Sequence, residues 1–68
     1  MPKGQLWLNS GRLRELRLAA ALSQQELADR AGVSRQTIVR AESLSVAMPS
    51  TIIKLAKALD VEYLRLTQ

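Results

Sequence analysis

The chain has 68 residues, among them ten lysines and arginines, six acidic residues, no cysteine and no histidine. A chain of this length forms one small domain at most, and it lacks the cysteines of a disulfide framework and the cysteine and histidine ligands of common zinc sites. The net charge of +4 suits a polyanionic partner, although a solvated basic surface explains it equally well.

The composition also favours helices over sheets. The chain contains one tryptophan, one tyrosine and no phenylalanine, whereas strands prefer aromatic and β-branched residues. No long apolar run follows the start of the chain, so we expect neither a signal peptide nor a membrane span. Together with the lack of cysteine, this predicts a cytoplasmic protein.

The first eight residues have no clear pattern and are predicted to form an N-terminal arm. Residues 5–8 alternate loosely, so a disordered arm, a strand and an apolar clip on the domain all stay open. A first helix is predicted over residues 10–20, because apolar residues recur there at helical spacing. Asn9 or Ser10 is expected to cap it.

The next two predicted helices, over residues 24–31 and 35–43, are short, and each follows a serine. Ser23 and Glu26 have the spacing of a capping box, in which each side chain accepts a backbone N–H of the other residue. Gly32 follows the last periodic residue of the first of these helices, where a left-handed residue is favoured. Two short helices joined by so tight a turn are typical of a helix-turn-helix.

Residues 43–48, with the sequence SLSVAM, are predicted to connect to a fourth helix over residues 50–59. This helix either begins at Pro49 or follows a cap at Ser50.

A short fifth helix is predicted over residues 62–66, with Leu64 packing inward. Because this segment also alternates, a strand paired with residues 6–8 is the alternative, and we favour the helix. The sequence therefore predicts one all-α domain.

Several groups of residues resemble the Cro/C1-type (XRE) helix-turn-helix family. They are Leu16-Arg17, the run LSQQELADRAGVSRQTI from Leu22, Glu42, and the run PSTIIKLAKALDV from Pro49. The resemblance covers about residues 13–64 and implies a five-helix, lambda repressor-like domain without a cofactor. It further implies that the domain binds double-stranded DNA, commonly as a homodimer.

The resemblance implies that the N-terminal part of the third helix enters the major groove and reads bases. The residues expected there are Arg35, Gln36, Thr37 and Arg40. Arginine can bond guanine, and glutamine can bond adenine, through two parallel hydrogen bonds. For Arg35 and Gln36 we favour base contact over a solvated surface, whereas base and phosphate contact are equally expected for Arg40.

Phosphate contacts are expected from Gln24, which matches a family position, and from Ser34 and Arg12. Family members often have a glycine two residues after the position of Glu42, followed by basic residues that bind phosphate. The apolar SLSVAM segment departs from this pattern, so the loop contacts are in doubt here. Backbone N–H groups or Arg12, Arg14 and Lys54 are the alternative donors that could partly replace them.

Arg17 and Glu42 match positions that often form a partly buried ion pair in the family. Exposure of both side chains is the alternative, and we favour the pair because both residues lie beside apolar faces. Losing one partner of such a pair leaves the other charge buried and unpaired.

Apolar residues near the two ends of the chain are candidates for a dimer interface. They are Trp7, Val61, Tyr63, Leu64 and Leu66. Packing of Trp7 against the first helix of its own chain is equally expected.

The sequence thus predicts a DNA-binding transcriptional regulator that acts as a repressor. The alternative is a protein-interaction module, such as the antitoxin of a toxin–antitoxin pair. We do not expect an enzyme, because the chain lacks histidine, cysteine, paired carboxylates and a glycine-rich phosphate loop.

Overall fold

The structure is a computed structural model that describes residues 4–68, so the first three residues of the predicted arm lie outside the described residues. Helices and strands follow in the order β1 (Leu6–Trp7), α1 (Ser10–Ala19), α2 (Gln24–Ala31), α3 (Arg35–Leu44), β2 (Val46–Ala47), α4 (Pro49–Ala58) and α5 (Leu64–Thr67). The predicted domain of five helices is confirmed, with a small two-stranded sheet added. Across residues 4–68, no helix has the length and apolar character needed to span a membrane.

The first three helices begin at side-chain caps. Asn9 accepts the backbone N–H of Arg12 at 3.0 Å, and α1 follows it. Ser23 and Glu26 form the predicted capping box of α2. The pKa of Glu26 lies below its ordinary value, because its carboxylate accepts the backbone N–H of Ser23. Gly32 ends α2 in the left-handed region, with φ of +73°.

The predicted connection over residues 43–48 is instead divided between a helix end and a strand. Helix α3 continues to Leu44, and Ser45 turns the chain in left-handed backbone with φ of +57°. Strand β2 then pairs antiparallel with β1, so that Leu6 lies opposite Ala47. Of the alternatives left open for this segment, the strand is present at residues 6–7.

The N-terminal segment and the first residue of α1 are both held by Ser45. The backbone N–H of Leu8 donates to the carbonyl of Ser45 at 2.9 Å, and the side chain of Leu8 is fully buried. The hydroxyl of Ser45 donates to that of Ser10. The alternative of a strand pair between the two chain ends is wrong, because the C-terminal segment is helical.

The last helix begins two residues later than predicted, and this shift changes which leucine is buried. The backbone N–H of Val61 closes the turn after α4 by donating to Ala56. Helix α5 then starts at Leu64, whose side chain is 56% exposed, while Leu66 is fully buried. The prediction that Leu64 packs inward is therefore wrong, and Leu66 takes that role.

The core is apolar and receives residues from all five helices, from β2 and from the turns next to β1 and α2. Its buried members are Leu8, Leu13, Leu22, Leu27, Ala28, Ile38, Ala41, Ala47, Ile52, Leu55, Ala56 and Leu66. Among residues 4–68, Arg17 is the one buried polar or charged residue. Its guanidinium pairs with the carboxylate of Glu42, whose side chain is also buried, at the junction of α1 and α3.

The buried position of Leu66 gives a test of the C-terminal packing. We expect Leu66→Ala to lower the free energy of unfolding by about 2–5 kcal/mol, because it removes a fully buried side chain and leaves a cavity. The matched control Leu64→Ala should change it by less than about 0.5 kcal/mol, as is usual at the surface. Equal effects in urea unfolding would contradict this assignment.

Candidate nucleic-acid interface

Helix α3 buries Ile38 and Ala41 and turns its polar N-terminal half outward, while Val39 and Leu44 are also exposed. Ile38 and Ala41 are fully buried, whereas the residues predicted to read bases lie on the solvent side of the helix. Those residues are Arg35, Gln36 and Arg40, all exposed, and Thr37, which is half-buried. Ser34 caps the helix and its hydroxyl lies 2.9 Å from that of Thr37.

A buried ion pair fixes α3 against α1. Arg17 donates from Nε to Glu42 Oε2 at 2.6 Å and from Nη2 to Glu42 Oε1 at 3.1 Å. Its Nη1 donates to the carbonyl of Leu22 at 2.9 Å. The hydrogen bond to Glu42 raises the pKa of Arg17, so the guanidinium stays charged despite its burial. The ion pair expected between these two residues is present.

The same carboxylate also holds Gln24, the first residue of α2. The side-chain amide of Gln24 donates from Nε2 to Glu42 Oε1 at 3.3 Å. A carboxylate accepts hydrogen bonds only, so it orients the amide nitrogen inward. Glu42 therefore positions the side chain of Gln24 as well as α3, the helix to which Glu42 belongs.

An open cleft of about 670 Å³ lies where α1, the start of α2 and α3 meet. Its lining residues are Arg14, Arg17, Ser23, Gln24, Gln25, Arg35, Glu42 and Ser43. The cleft brings Gln24 and Arg35 together, but Arg12 does not line it. Arg14, which the sequence offered only as an alternative phosphate donor without a place, does. Its spacing of three residues from Arg17 on one helix was the available signal, because such residues share a face.

A second cleft, of about 220 Å³, flanks the other side of α3. It is lined by Gln5, Thr37, Arg40, Val46, Ala47, Met48 and Thr51. Between the two clefts, Arg35, Gln36 and Val39 line the front of the helix. The exposed face of α3 is thus bordered on both sides by polar concave surfaces, and Gln5 and Thr51 are residues that sequence reasoning missed.

The two clefts and the front of α3 between them carry a positive charge. Glu42 is the one carboxylate among their lining residues, and it is paired with Arg17. The other charged lining residues are Arg14, Arg35 and Arg40. Arginine fits phosphate and guanine with its planar set of donors, so the arrangement suits a nucleic acid.

The candidate dimer residues differ in exposure. Trp7 is 49% exposed and Leu64 is 56% exposed, while Val61 and Tyr63 are half-buried against the core. Leu66 is fully buried within its own chain. Its expected place in a dimer interface is therefore wrong, because its side chain already completes the core.

Comparisons with known proteins agree with this fold. The helix-turn-helix family model matches residues 13–66. The chain is also similar to the restriction-modification controller protein C.AhdI from Aeromonas hydrophila, with 40% sequence identity and a TM-score of 0.78 to its crystal structure. That match covers 82% of this chain and 86% of that chain. A sequence comparison with curated proteins gives no match.

The burial of the ion pair predicts unequal effects of two glutamate substitutions. Glu42→Ala leaves the buried Arg17 without its partner, so we expect a loss of about 3–5 kcal/mol of unfolding free energy. Glu26→Ala removes an exposed half of a capping box and should lower the melting temperature less. Thermal unfolding of both variants checks this, and equal melting temperatures would reject the structural role of the pair.

Proposed function

The chain belongs to the Cro/C1-type (XRE) helix-turn-helix family of DNA-binding domains, and we propose that it regulates transcription by binding a specific double-stranded operator. The observation that carries this proposal is the outward polar face of α3, bordered by two clefts whose unpaired charges are positive. A helix of this kind fits the major groove of B-DNA.

In the proposed complex, Arg35 and Gln36 read base edges from the N-terminal half of α3. Both side chains are exposed on the front of the helix, and neither has an intramolecular hydrogen bond within residues 4–68. Arg35 suits guanine and Gln36 suits adenine. Thr37 and Arg40 lie further round the helix, where they contact a thymine methyl, a base edge or a phosphate.

Phosphate contacts on one side of the groove come from the starts of α2 and α3, of which the start of α2 lines the larger cleft. Gln24 and Ser34 stand at the starts of α2 and α3, where backbone N–H groups and side-chain donors suit phosphate oxygens. Arg14 adds a positive charge in the same cleft as Gln24. We propose Arg14 as a phosphate contact in addition to Arg12.

We propose that two copies bind the operator together. The exposed apolar side chains of Trp7 and Leu64, with the half-buried Val61 and Tyr63 beside the core, supply candidate contacts. A homodimer doubles the phosphate contacts and places two recognition helices one helical turn apart on the DNA.

The proposed biological role is that of a small controller of transcription. Its similarity to C.AhdI, a restriction-modification controller protein, supports control of the genes of a restriction-modification system. Repression is the expected effect where the operator overlaps a promoter, since a bound dimer excludes the polymerase. The proposed role is binding rather than catalysis.

Selection of DNA from a random pool tests this function. We expect the purified chain to enrich a palindromic sequence, with half-sites about one helical turn apart. Enrichment without a palindrome would contradict the homodimer. No enrichment would overturn the proposed DNA binding and favour the alternative of a protein-interaction module such as an antitoxin.

The role of Gln36 is tested on the selected operator. We expect Gln36→Ala to reduce the discrimination between operator and random DNA by roughly 1–3 kcal/mol, because a bidentate base contact is lost. Gln68→Ala, at an exposed residue outside the clefts, is the matched control. An unchanged ratio of affinities at fixed salt would count against base reading by Gln36.

A further inference from the structure

The smaller cleft beside α3 is built from parts of the chain that lie far apart in sequence. Gln5 precedes β1, Thr37 and Arg40 belong to α3, and Thr51 belongs to α4. Pairing of β1 with β2 brings the N-terminal segment to this place. On this side, α3 therefore lies beside a segment that precedes the helix-turn-helix in the sequence.

All the polar side chains of this cleft can donate hydrogen bonds. They are one guanidinium, two hydroxyls and one primary amide, and the lining contains no carboxylate. Within residues 4–68, the side chains of Gln5, Arg40 and Thr51 make no intramolecular hydrogen bond. These donors remain free for an outside acceptor, and a phosphodiester oxygen is an acceptor that suits charged and neutral donors together.

The backbone holds Gln5 in place. Leu6 pairs with Ala47, and the N–H of Leu8 donates to the Ser45 carbonyl at 2.9 Å. The full burial of Leu8 anchors the segment to the core. Gln5 itself is half-buried at the edge of the cleft. Its amide thus belongs to a residue directly before a paired strand.

The position of the cleft favours phosphate over a base edge. Gln36 and Val39 lie on the front of α3, whereas this cleft opens at the flank, between α3 and the segment formed by β2 and α4. A helix seated in the major groove turns its front to the bases and its flanks to the two backbones.

We propose that Gln5 and Thr51, together with Arg40, form a binding site for a DNA backbone phosphate. The N-terminal segment is then part of the DNA interface. This inference rests on the proposed DNA binding. The site takes the place of the basic loop that the SLSVAM segment lacks. Two of its three residues are neutral, and their contributions do not depend on released counterions.

The test measures the affinity of Gln5→Ala for the selected operator and for random DNA over a range of salt concentrations, with Gln68→Ala as control. We expect an affinity loss of about tenfold on both DNAs, as for one hydrogen bond to a charged group. The slope of affinity against salt should be unchanged, because no charge is removed. A loss confined to the operator would overturn the phosphate assignment.

Thr51→Val keeps the size of the side chain and removes its hydroxyl, with Thr67→Val as its control on α5. We expect the same uniform loss of affinity, with an unchanged melting temperature. If Gln5→Ala and Thr51→Val both bind like their controls, this inference is overturned while the proposed function stands. If the wild-type chain binds no DNA, the proposed function and this inference both fail.

Discussion

The carboxylate of Glu42 receives hydrogen bonds from Arg17 on α1 and from Gln24 on α2, while it belongs to α3. Arg17 also donates to the carbonyl of Leu22 in the turn between α1 and α2. One buried group of charges thus joins the three helices that a helix-turn-helix must keep at fixed angles. Its net contribution to stability is small, since desolvation of two charges offsets most of their attraction. We attribute its value to the geometry it enforces, because removing either charge leaves the other unpaired in an apolar interior.

The opposite flank of α3 is fixed in another way, through hydrogen bonds to the N-terminal segment. Ser45 follows α3 in left-handed backbone, with φ of +57°. Its carbonyl accepts from Leu8 and its hydroxyl donates to Ser10, so the strain of this conformation is accompanied by two contacts to the N-terminal segment. The apolar segment that follows then forms β2 and contributes Ala47 to the core. The segment that lacks basic residues is therefore the one that pairs with β1.

Sequence reasoning succeeded where the signal is local. The capping box of Ser23 and Glu26, the left-handed Gly32 and the bounds of α2 depend on neighbouring residues, and each was predictable. The pairing of β1 with β2 was not, because strands of two residues have no periodicity and their register depends on tertiary packing. The burial of Leu66 instead of Leu64 depends on where α5 begins, which is set by the length of the turn after α4. The two clefts combine side chains from several elements, so the sequence predicted Arg35, Thr37 and Arg40 but neither Gln5 nor Thr51.

The distribution of charge bears on how the proposed DNA binding depends on salt. Sequence-independent binding grows with the number of cations that replace counterions on phosphate. The two clefts and the front of α3 contain three unpaired cations, Arg14, Arg35 and Arg40, since Arg17 is paired with Glu42. Other polar donors there, among them Gln5 and Thr51, are neutral. A neutral donor releases no counterion when it bonds a phosphate, so its share of the affinity is kept when salt weakens the ionic contacts. The proposed complex therefore combines a few salt-dependent contacts with neutral ones that hold equally on any DNA backbone.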